Sequence, residues 1–245
     1  MTRTVAIIQA RMGSTRLPGK VLRQLPGGSV LAWVVRRVRA CPLLDETVVA
    51  TSRLAEDDAV ADEARRHGAA VFRGDAENVL SRYCGAAAEF GADTIIRITA
   101  DCPLYDPAIL TSMLERFRAE PVDYLSNGGP VHRYPRGLDT EIFSRGTLDV
   151  VCREAGRPYE LEHVTPFIYQ HPARFSLAGY TNTSDQSHHR WTLDTPDDWK
   201  LIEAVYNALG DGERIFSTAE VLDYLAAHPE VVALNAHVRQ KRLGE

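Results

Sequence analysis

The sequence predicts an α/β fold in which a mostly parallel central sheet carries helices on both faces. Two observations predict it. Short apolar runs typical of buried strands alternate with segments of helical periodicity through the first half of the chain. Two of the helical segments are followed by Gly68 and Gly91, and glycine is the residue that most often ends a helix in the left-handed conformation. This alternation is typical of parallel strands joined by crossover helices.

The elements follow in order along the chain. The apolar runs predict strands at residues 4–8, 47–51, 69–72 and 94–98. A first helix begins after Ser29, which suits an N-cap. The helical periodicity predicts further helices at 56–67, 77–90, 107–118, 146–155, 159–170, 196–209 and 218–227, and two later strands at 174–180 and 190–193.

A glycine- and proline-rich segment at 126–139 is too polar and too broken to be core, and a long ordered loop in a compact domain is usually functional. No repeat, low-complexity segment or linker divides the chain. We therefore expect one domain over residues 1–234 and a weakly ordered tail at 235–245.

The composition excludes several classes of protein. The chain has 245 residues, 44% hydrophobic and 25% charged, as in an ordinary globular protein. Its net charge of -5 argues against a surface devoted to nucleic acid or anionic lipid. No run approaches the roughly 18 apolar residues that span a bilayer, and the apolar run at 5–8 is too short for a signal peptide. We expect a cytoplasmic protein.

Four cysteines at positions 41, 84, 102 and 152 are scattered, without a CxxC pair or histidines at zinc spacing. The spacing predicts neither a disulfide framework nor a zinc site. Reduced thiols fit a cytoplasmic protein.

The strongest functional signal is the loop from Gln9 to Lys20, which directly follows the first strand. It combines two arginines, a lysine, two hydroxyls and two glycines. Glycines let backbone N–H groups point inward, arginines offer forked donors, and lysine supplies a compact charge, so the loop suits a polyphosphate. Five residues separate Gly13 from Gly19, and Val21 stands where a Walker A loop needs Ser or Thr. That spacing argues against an ATPase, and no GxGxxG run indicates a dinucleotide cofactor.

Asp101 ends the apolar run at 94–98 and is expected to project from the carboxyl edge of the sheet, where a metal-bridged phosphate would lie. Asp101 could instead serve only in the turn before Pro103. Asp194, which comes shortly before Pro196, could be the N-cap of the helix that begins there. Cys102 has no base nearby in the sequence and is interpreted as a packed residue.

Several ordered motifs accompany the loop. They are residues 49–52 with Asp57 and Asp58, 79–83, RITADCPL at 97–104, GLDTE at 137–141, EHVT at 162–165, and WTLDTPDD at 191–198. With these motifs the sequence resembles the cytidylyltransferases that make CMP-activated sugar acids, of the acylneuraminate and 3-deoxy-manno-octulosonate types. It is more similar still to the spore-coat polysaccharide biosynthesis proteins of the SpsF type, over most of the chain.

The resemblance implies a Rossmann-like, glycosyltransferase-A-like nucleotidyltransferase fold, with an acceptor-binding insertion at about 121–190. It implies an enzyme that couples CTP to a sugar acid or similar acceptor with release of pyrophosphate, acting as a homodimer. Magnesium is the implied cofactor, with Asp101 and Asp194 as its ligands. The catalytic residues are expected to be Arg11, Lys20 and Asp101.

Nucleotide binding is expected along the first three strand ends. The expected residues are Gln9, Ala10, Arg11, Gly13, Ser14, Arg16, Lys20, Thr51, Ser52, Arg73, Asp75 and Asn78. Relatives usually carry an acidic residue where this chain has Asn78, and an asparagine still offers a donor and an acceptor to a base. Loop or N-cap roles remain open for Asp75 and Asn78.

The acceptor is expected under the long loop and the segment 159–165. The expected contacts are Asn127, Arg136, Asp139, Glu141, Glu162 and His163, and Arg136 suits a carboxylate or phosphate acceptor. His163 is either a general base or a packed residue. The alternatives for the whole protein are a nucleotidyltransferase with a phosphonate or other non-sugar acceptor and a non-catalytic nucleotide-binding protein. A glycosyltransferase ranks behind them because its Asp-x-Asp motif is missing.

Overall fold

The computed structural model describes residues 2–14, 16–129 and 131–240, so the two predicted loops are described except for Thr15 and Pro130. The strands are β1 (Thr4–Gln9), β2 (Gln24–Leu25), β3 (Gly28–Ser29), β4 (Glu46–Ser52), β5 (Ala70–Gly74), β6 (Thr94–Thr99), β7 (Tyr124–Ser126), β8 (Glu141–Ser144) and β9 (Leu177–Gly179). The helices are α1 (Val30–Arg39), α2 (Asp58–Arg66), α3 (Val79–Glu89), α4 (Pro107–Ala119), α5 (Arg145–Glu154), α6 (Pro158–His163), α7 (Pro166–Tyr169), α8 (Pro196–Leu209), α9 (Thr218–Ala227) and α10 (Pro229–Ala233).

Seven strands form the central sheet in the order β5-β4-β1-β6-β8-β7-β9, while β2 and β3 form a small separate hairpin. The strands β5, β4, β1 and β6 run parallel, and β8 is antiparallel to both of its neighbours. The mostly parallel sheet predicted from the sequence is confirmed. The first four predicted strands lie within about two residues of their observed bounds.

Alternate residues of β1 face opposite sides of the sheet, and this places helices on both faces. Ala6 and Ile8 belong to one core cluster with α1, α2 and α4. Val5 and Ile7 belong to a second cluster with α3 and α5. A third cluster packs α8 and α9 around Trp191. Because β1 is buried on both faces, its sequence is a continuous apolar run.

Three predicted elements differ in the structure. Residues 190–193 do not form a strand, because their only pairing among the described residues is a single bridge of Arg190 to Arg136 of the long loop. The strand predicted at 174–180 shortens to β9. The helix predicted at 159–170 is broken into α6 and α7 at Val164, whose φ is 70° and whose neighbours close a γ-turn from Thr165 N–H to His163 C=O at 2.8 Å.

The absence of a disulfide, expected from the cysteine spacing, is wrong. Cys84 of α3 and Cys152 of α5 form a disulfide across 68 residues of sequence. The spacing could not reveal the pair because the two helices come together only when they pack on the same face of the sheet. Cys41 and Cys102 are free and buried.

The prediction of a weakly ordered tail from residue 235 onward is wrong for Asn235. Asn235 is buried, and its side chain donates to Arg190 O and to Asp198 Oδ1, both at 2.9 Å. Residues 241–245 of that predicted tail lie outside the described residues. None of the described helices has both the length and the apolarity needed to cross a membrane.

Candidate active site

The loop after β1 folds back over the carboxyl edge of the sheet. Ala10 N–H donates to Ala50 O of β4 at 3.2 Å, and Met12 N–H donates to the buried carboxylate of Asp57 at 2.7 Å. Gly19 adopts φ 65°, a conformation that favours glycine, and its N–H returns to Met12 O at 3.3 Å. The loop is therefore closed on itself and tied to the second crossover.

Lys20 lies at the centre of the site. Its ammonium group donates to Asp101 Oδ2 at 2.6 Å, to Leu193 O at 2.6 Å and to Asp194 Oδ1 at 3.0 Å. Burial alone would lower the pKa of Lys20, but the two carboxylates outweigh it and raise the pKa above its usual value. Lys20 is therefore a fixed positive charge between two acids.

The two acids come from distant parts of the chain. Asp101 follows β6, and although burial raises the pKa of its carboxyl group, Lys20 and a hydrogen bond from Thr99 bring that pKa below its usual value. Asp194 also bonds to Arg16 at 3.1 Å and to Arg190 at 2.7 Å. The N-cap of α8 is Thr195, so capping does not explain Asp194.

A divalent cation fits this donor set. Within the described residues no three His, Cys, Asp or Glu side chains are grouped to hold a metal. Magnesium, however, typically uses only one or two protein carboxylates and takes its other ligands from phosphate and water. Asp101 and Asp194 already converge on one cation, the ammonium group of Lys20.

Cys102 is not a nucleophile in this geometry. Its Sγ lies 3.2 Å from Thr99 Oγ1 and 3.5 Å from Asp101 Oδ1. Burial and then the Asp101 charge raise the pKa of the thiol well above its ordinary value, so it stays protonated near pH 7.

Two adjoining cavities open beside the loop. One of about 260 Å³ is lined by Arg11, Gly13, Ser52, Asp57 and Glu77, among others. The other, of about 350 Å³, lies between Arg53, Gly74 and Asp75 and shares Leu54 and Ala76 with the first. Arg11 reaches Ala76 O and Glu77 Oε1, both at 3.4 Å, across the first cavity.

Of the predicted nucleotide-binding residues, Arg11, Gly13, Ser52 and Asp75 line these cavities, and the others have different surroundings. Among the described residues, Gln9 Oε1 and Thr51 Oγ1 are buried atoms that find no hydrogen-bond partner. Ser14 lies in the loop, with its Oγ accepting from Leu17 N–H at 3.4 Å. Ser52 donates to Asp57, and Arg73 donates to Ser52 O at 2.8 Å. Ser52 lines the first cavity, and Arg73 supports it through this backbone contact.

Asp75 and Asn78 perform the local roles that the sequence left open. Asp75 Oδ1 accepts from Glu77 N–H and Asn78 N–H at 2.8 and 2.7 Å. Asn78 caps α3 by accepting from Ser81 N–H at 2.8 Å. The amide nitrogen of Asn78 is not used by the cap, so the cap and a base contact are compatible.

The predicted acceptor residues separate into two groups. Asn127 is buried, and its side chain bonds the backbone of Leu138 and Thr140 at 2.8 and 2.7 Å, so it braces the long loop. Glu141 accepts from Arg97, Tyr124 and Thr165, which occupies both of its oxygens. These two side chains hold the acceptor side together.

The other acceptor residues are more open. Asp139 is exposed, and its Oδ2 accepts from Gly137 N–H at 2.9 Å. Arg136 is half-buried and Glu162 is exposed. Burial lowers the pKa of His163 below its usual value, and the nearby Glu162 carboxylate only partly opposes this, so the ring is neutral at pH 7.

Comparison with known proteins identifies the family. A family model described as cytidylyltransferase matches residues 5–222, most of the chain. The chain belongs to the cytidylyltransferase family. The expectation of a CTP-dependent nucleotidyltransferase is confirmed, and the alternative of a non-catalytic nucleotide-binding protein falls away.

Relatives extend over the full chain. An uncharacterized protein of Methanocaldococcus jannaschii is 32% identical over 98% of each chain. The spore coat polysaccharide biosynthesis protein SpsF of Bacillus subtilis is 34% identical over 91% of this chain and 94% of that protein. The solved structure of a cytidylyltransferase from Leptospira borgpetersenii superposes with a TM-score of 0.90 at 30% identity, covering 99% of this chain and 100% of that one. The predicted fold and the resemblance to the SpsF type are confirmed.

Sequence reasoning missed four residues that build the site of this cytidylyltransferase. Asp57 holds the loop after β1 by accepting from Met12 N–H, a role that its motif did not reveal. Arg190, Asp198 and Asn235 form a buried group behind Asp194. The pairing of Arg190 with two acids at i+4 and i+8 was a usable signal, whereas Asn235 had none.

Proposed function

We propose that this cytidylyltransferase transfers the cytidylyl group of CTP to an oxygen of an acidic sugar or sugar-like acceptor, with release of pyrophosphate. The observation that supports this most strongly is the convergence of Lys20 with Asp101 and Asp194 beside an arginine-bearing loop. Three parts of the chain bring opposite charges to one point at the sheet edge. That arrangement suits a triphosphate bound with a divalent cation.

In the proposed reaction an acceptor oxygen attacks the α-phosphorus of CTP in line. The new O–P bond forms as the bond from that phosphorus to the pyrophosphate oxygen breaks, and the acceptor's proton passes to water. Arg11, Arg16 and Lys20 would bind the triphosphate and stabilise the charge that develops on the leaving pyrophosphate. The protonated state of the Cys102 thiol supports direct transfer without a covalent enzyme intermediate.

Asp101 and Asp194 would hold magnesium. Bound there, magnesium would neutralise phosphate oxygens as a Lewis acid. Lys20 supplies the positive charge between these carboxylates in the structure described, so we expect it to release at least one of them when CTP binds. The released ammonium group is then free to donate to phosphate oxygens.

The acceptor assignment depends on Arg136, Asp139, Glu162 and His163. Arg136 is half-buried, and within residues 2–14, 16–129 and 131–240 its side chain has no hydrogen bond or ion pair. A guanidinium in that state suits a carboxylate. Asp139 and Glu162 offer acceptors to sugar hydroxyls, and the neutral His163 ring can accept a hydrogen bond from one of them.

A pyrophosphate-release assay tests the proposal. Each of the four nucleoside triphosphates is combined with a sugar acid, a neutral sugar or a phosphonate, and the product is identified by mass spectrometry. We expect release only with CTP and the sugar acid, and dependence on magnesium. Product from the phosphonate alone would replace the acceptor assignment while leaving the transfer chemistry in place.

Two variants test the carboxylates. Asp101→Asn and Asp194→Asn are expected to lower turnover by about 100-fold or more, because charge neutralisation at the phosphates is lost. Asp62→Asn, at an exposed residue of α2, is the matched control. Full magnesium-dependent activity of Asp101→Asn would show that the assignment is wrong.

A homodimer and a cytoplasmic location complete the proposal. Analytical ultracentrifugation tests the first, and a monomer at assay concentration would refute it. The Cys84–Cys152 disulfide is uncommon in a cytoplasmic protein, so its redox state trapped in cells tests the second.

A further inference from the structure

A buried hydrogen-bonded group lies directly behind Asp194. Arg190, Asp198 and Asn235, which we call the C-terminal latch, are each less than one-tenth exposed. Asn235 donates to Asp198 Oδ1 at 2.9 Å, and Arg190 Nε donates to the same oxygen at 2.9 Å. Arg190 Nη2 then donates to Asp194 Oδ2 at 2.7 Å. A continuous chain of bonds therefore runs from the segment after α10 to Asp194.

The latch gives the two carboxylate oxygens of Asp194 different partners. Its Oδ2 bonds inward to Arg190, while its Oδ1 is shared by Lys20 at 3.0 Å and Arg16 at 3.1 Å. Asp198 fixes the backbone as well, because its Oδ2 accepts from Asp194 N–H and Thr195 N–H at 3.0 and 2.9 Å. These bonds hold the Asp194 carboxylate in one orientation, with Oδ2 toward Arg190 and Oδ1 toward Lys20 and Arg16.

That division matters for charge balance at the site. Without Arg190, both oxygens of Asp194 would be open to Lys20 and Arg16, two of the three cations of the loop after β1. A tighter ion pair between the loop and Asp194 would compete with phosphate and with a divalent cation for the same groups. An arginine suits the inward position because its rigid planar fork fixes the directions of its bonds to Asp194 and Asp198, whereas the ammonium group of a lysine is a compact charge whose donors rotate.

We infer that the C-terminal latch positions the Asp194 carboxylate, so that the segment after α10 completes the active site. The inference rests on the proposed role of Asp194. Asn235 lies beyond residue 222, where the match to the family ends. Gln240 adds to the same structure by accepting from Arg190 Nη1.

The test measures Mn²⁺ binding in the presence of CTP and without acceptor, by electron paramagnetic resonance, so that no turnover is required. Asn235→Ala and Arg190→Lys are expected to weaken Mn²⁺ binding by about 10- to 100-fold, as is usual for residues that orient a metal ligand. The magnesium concentration needed for half-maximal pyrophosphate release should rise in parallel.

Two controls separate positioning from stability. Asn207→Ala, at an exposed residue of α8, should leave Mn²⁺ binding unchanged. Leu225→Ala removes a buried side chain of α9 and should lower the melting temperature without weakening Mn²⁺ binding. If Arg190→Lys does not fold, the comparison of the single variants Asn235→Ala and Leu225→Ala still tests the inference.

The outcomes distinguish the inference from the proposed function. If Asp194→Asn binds Mn²⁺ as tightly as the unmodified protein, the proposed role of Asp194 fails. If Asp194→Asn loses Mn²⁺ while Asn235→Ala retains it, the latch alone is overturned. An equal loss in Asn235→Ala and Leu225→Ala also overturns it, because the effect would then follow stability.

Discussion

At the scale of single residues, the positive charge of Lys20 and the negative charges of Asp101 and Asp194 stabilise one another. Lys20 satisfies two carboxylates and one carbonyl, and no single one of these contacts describes its role. Asp101 and Asp194 would repel each other if the ammonium group were absent. Lys20 therefore supplies the positive charge that the two carboxylates share, while Arg16 and Arg190 pair with only one of the two, Asp194.

Replacing Lys20 with glutamine tests this dependence. We expect the free energy of unfolding to fall by about 1–3 kcal/mol, because two partly buried carboxylates lose their cation. Magnesium should restore part of the loss, which thermal melting with and without the ion measures. Lys200→Gln is the control, since Lys200 pairs with Asp197 at the surface. An equal effect in both variants, or none with magnesium, would contradict the interpretation.

His189 gives the fold a pH dependence of predictable sign. Burial, and then the neighbouring His188, lower the pKa of His189 to about 4. Between pH 6.5 and 4 the unfolded chain binds a proton that the folded chain does not, so the free energy of unfolding falls as the pH falls. From pH 7 to 4.5 the loss should be about 2 kcal/mol, measured by urea unfolding. In His189→Gln this part of the pH dependence should disappear, and its persistence would show that other groups cause it.

Two backbone conformations shape the site at the scale of elements. The γ-turn at Val164 ends α6 and directs Thr165 Oγ1 to Glu141 at 2.6 Å. A β-branched residue at positive φ is rare, and such strain persists only where its surroundings require it. Gly137, at φ 104°, brings the long loop against the backbone of Trp191. The first contact lies within the predicted acceptor side, and the second joins the long loop to the segment that leads to Asp194.

Gly137→Ala should push the long loop away from the backbone of Trp191 and Thr192. A Cβ at this position would lie 2.7 Å from the carbonyl carbon of Trp191, and backbone cannot move aside as a side chain can. We expect a loss of about 2–4 kcal/mol in the free energy of unfolding, with lower activity, because Trp191 leads directly to Leu193 and Asp194. Gly129→Ala in the same loop is the control, since a Cβ there meets no atom within 4 Å. Equal melting temperatures for the two variants would contradict the close approach.

At the scale of the whole molecule, the sheet edge that carries the charged site is formed by the parallel half of the sheet and braced by α8 to α10. The strands β5, β4, β1 and β6 bring their carboxyl ends to one edge. The third core cluster then packs α8 and α9 so that Asp194 meets that edge. On the opposite face, the disulfide joins α3 to α5.

The disulfide should contribute to global stability. Closing 68 residues of chain restricts the unfolded state, which typically stabilises a protein by about 2–4 kcal/mol. Dithiothreitol should therefore lower the melting temperature of the unmodified protein. The double variant Cys84→Ser with Cys152→Ser should melt at that lower temperature with or without the reductant. A melting temperature indifferent to dithiothreitol would show that the two thiols are not joined.

The mostly parallel sheet, the dense charges of the loop from Gln9 to Lys20 and the place of Asp101 at a strand end follow from the sequence by itself. They could be predicted because each depends on a local pattern, an apolar run or a dense group of charges at the end of one. The fold class follows for the same reason, since alternating strands and helices permit few topologies.

Only the tertiary structure decided how the charges are partitioned. The contact of Lys20 with both acids, the bond from Asn235 to Asp198 in the latch and the Cys84–Cys152 bond join residues 37 to 174 positions apart. It also assigned Asn127 and Glu141 to internal bracing, because both have their polar atoms occupied by neighbours. Sequence spacing carries no information about such contacts, since packing brings them together only after the sheet and its helices have formed.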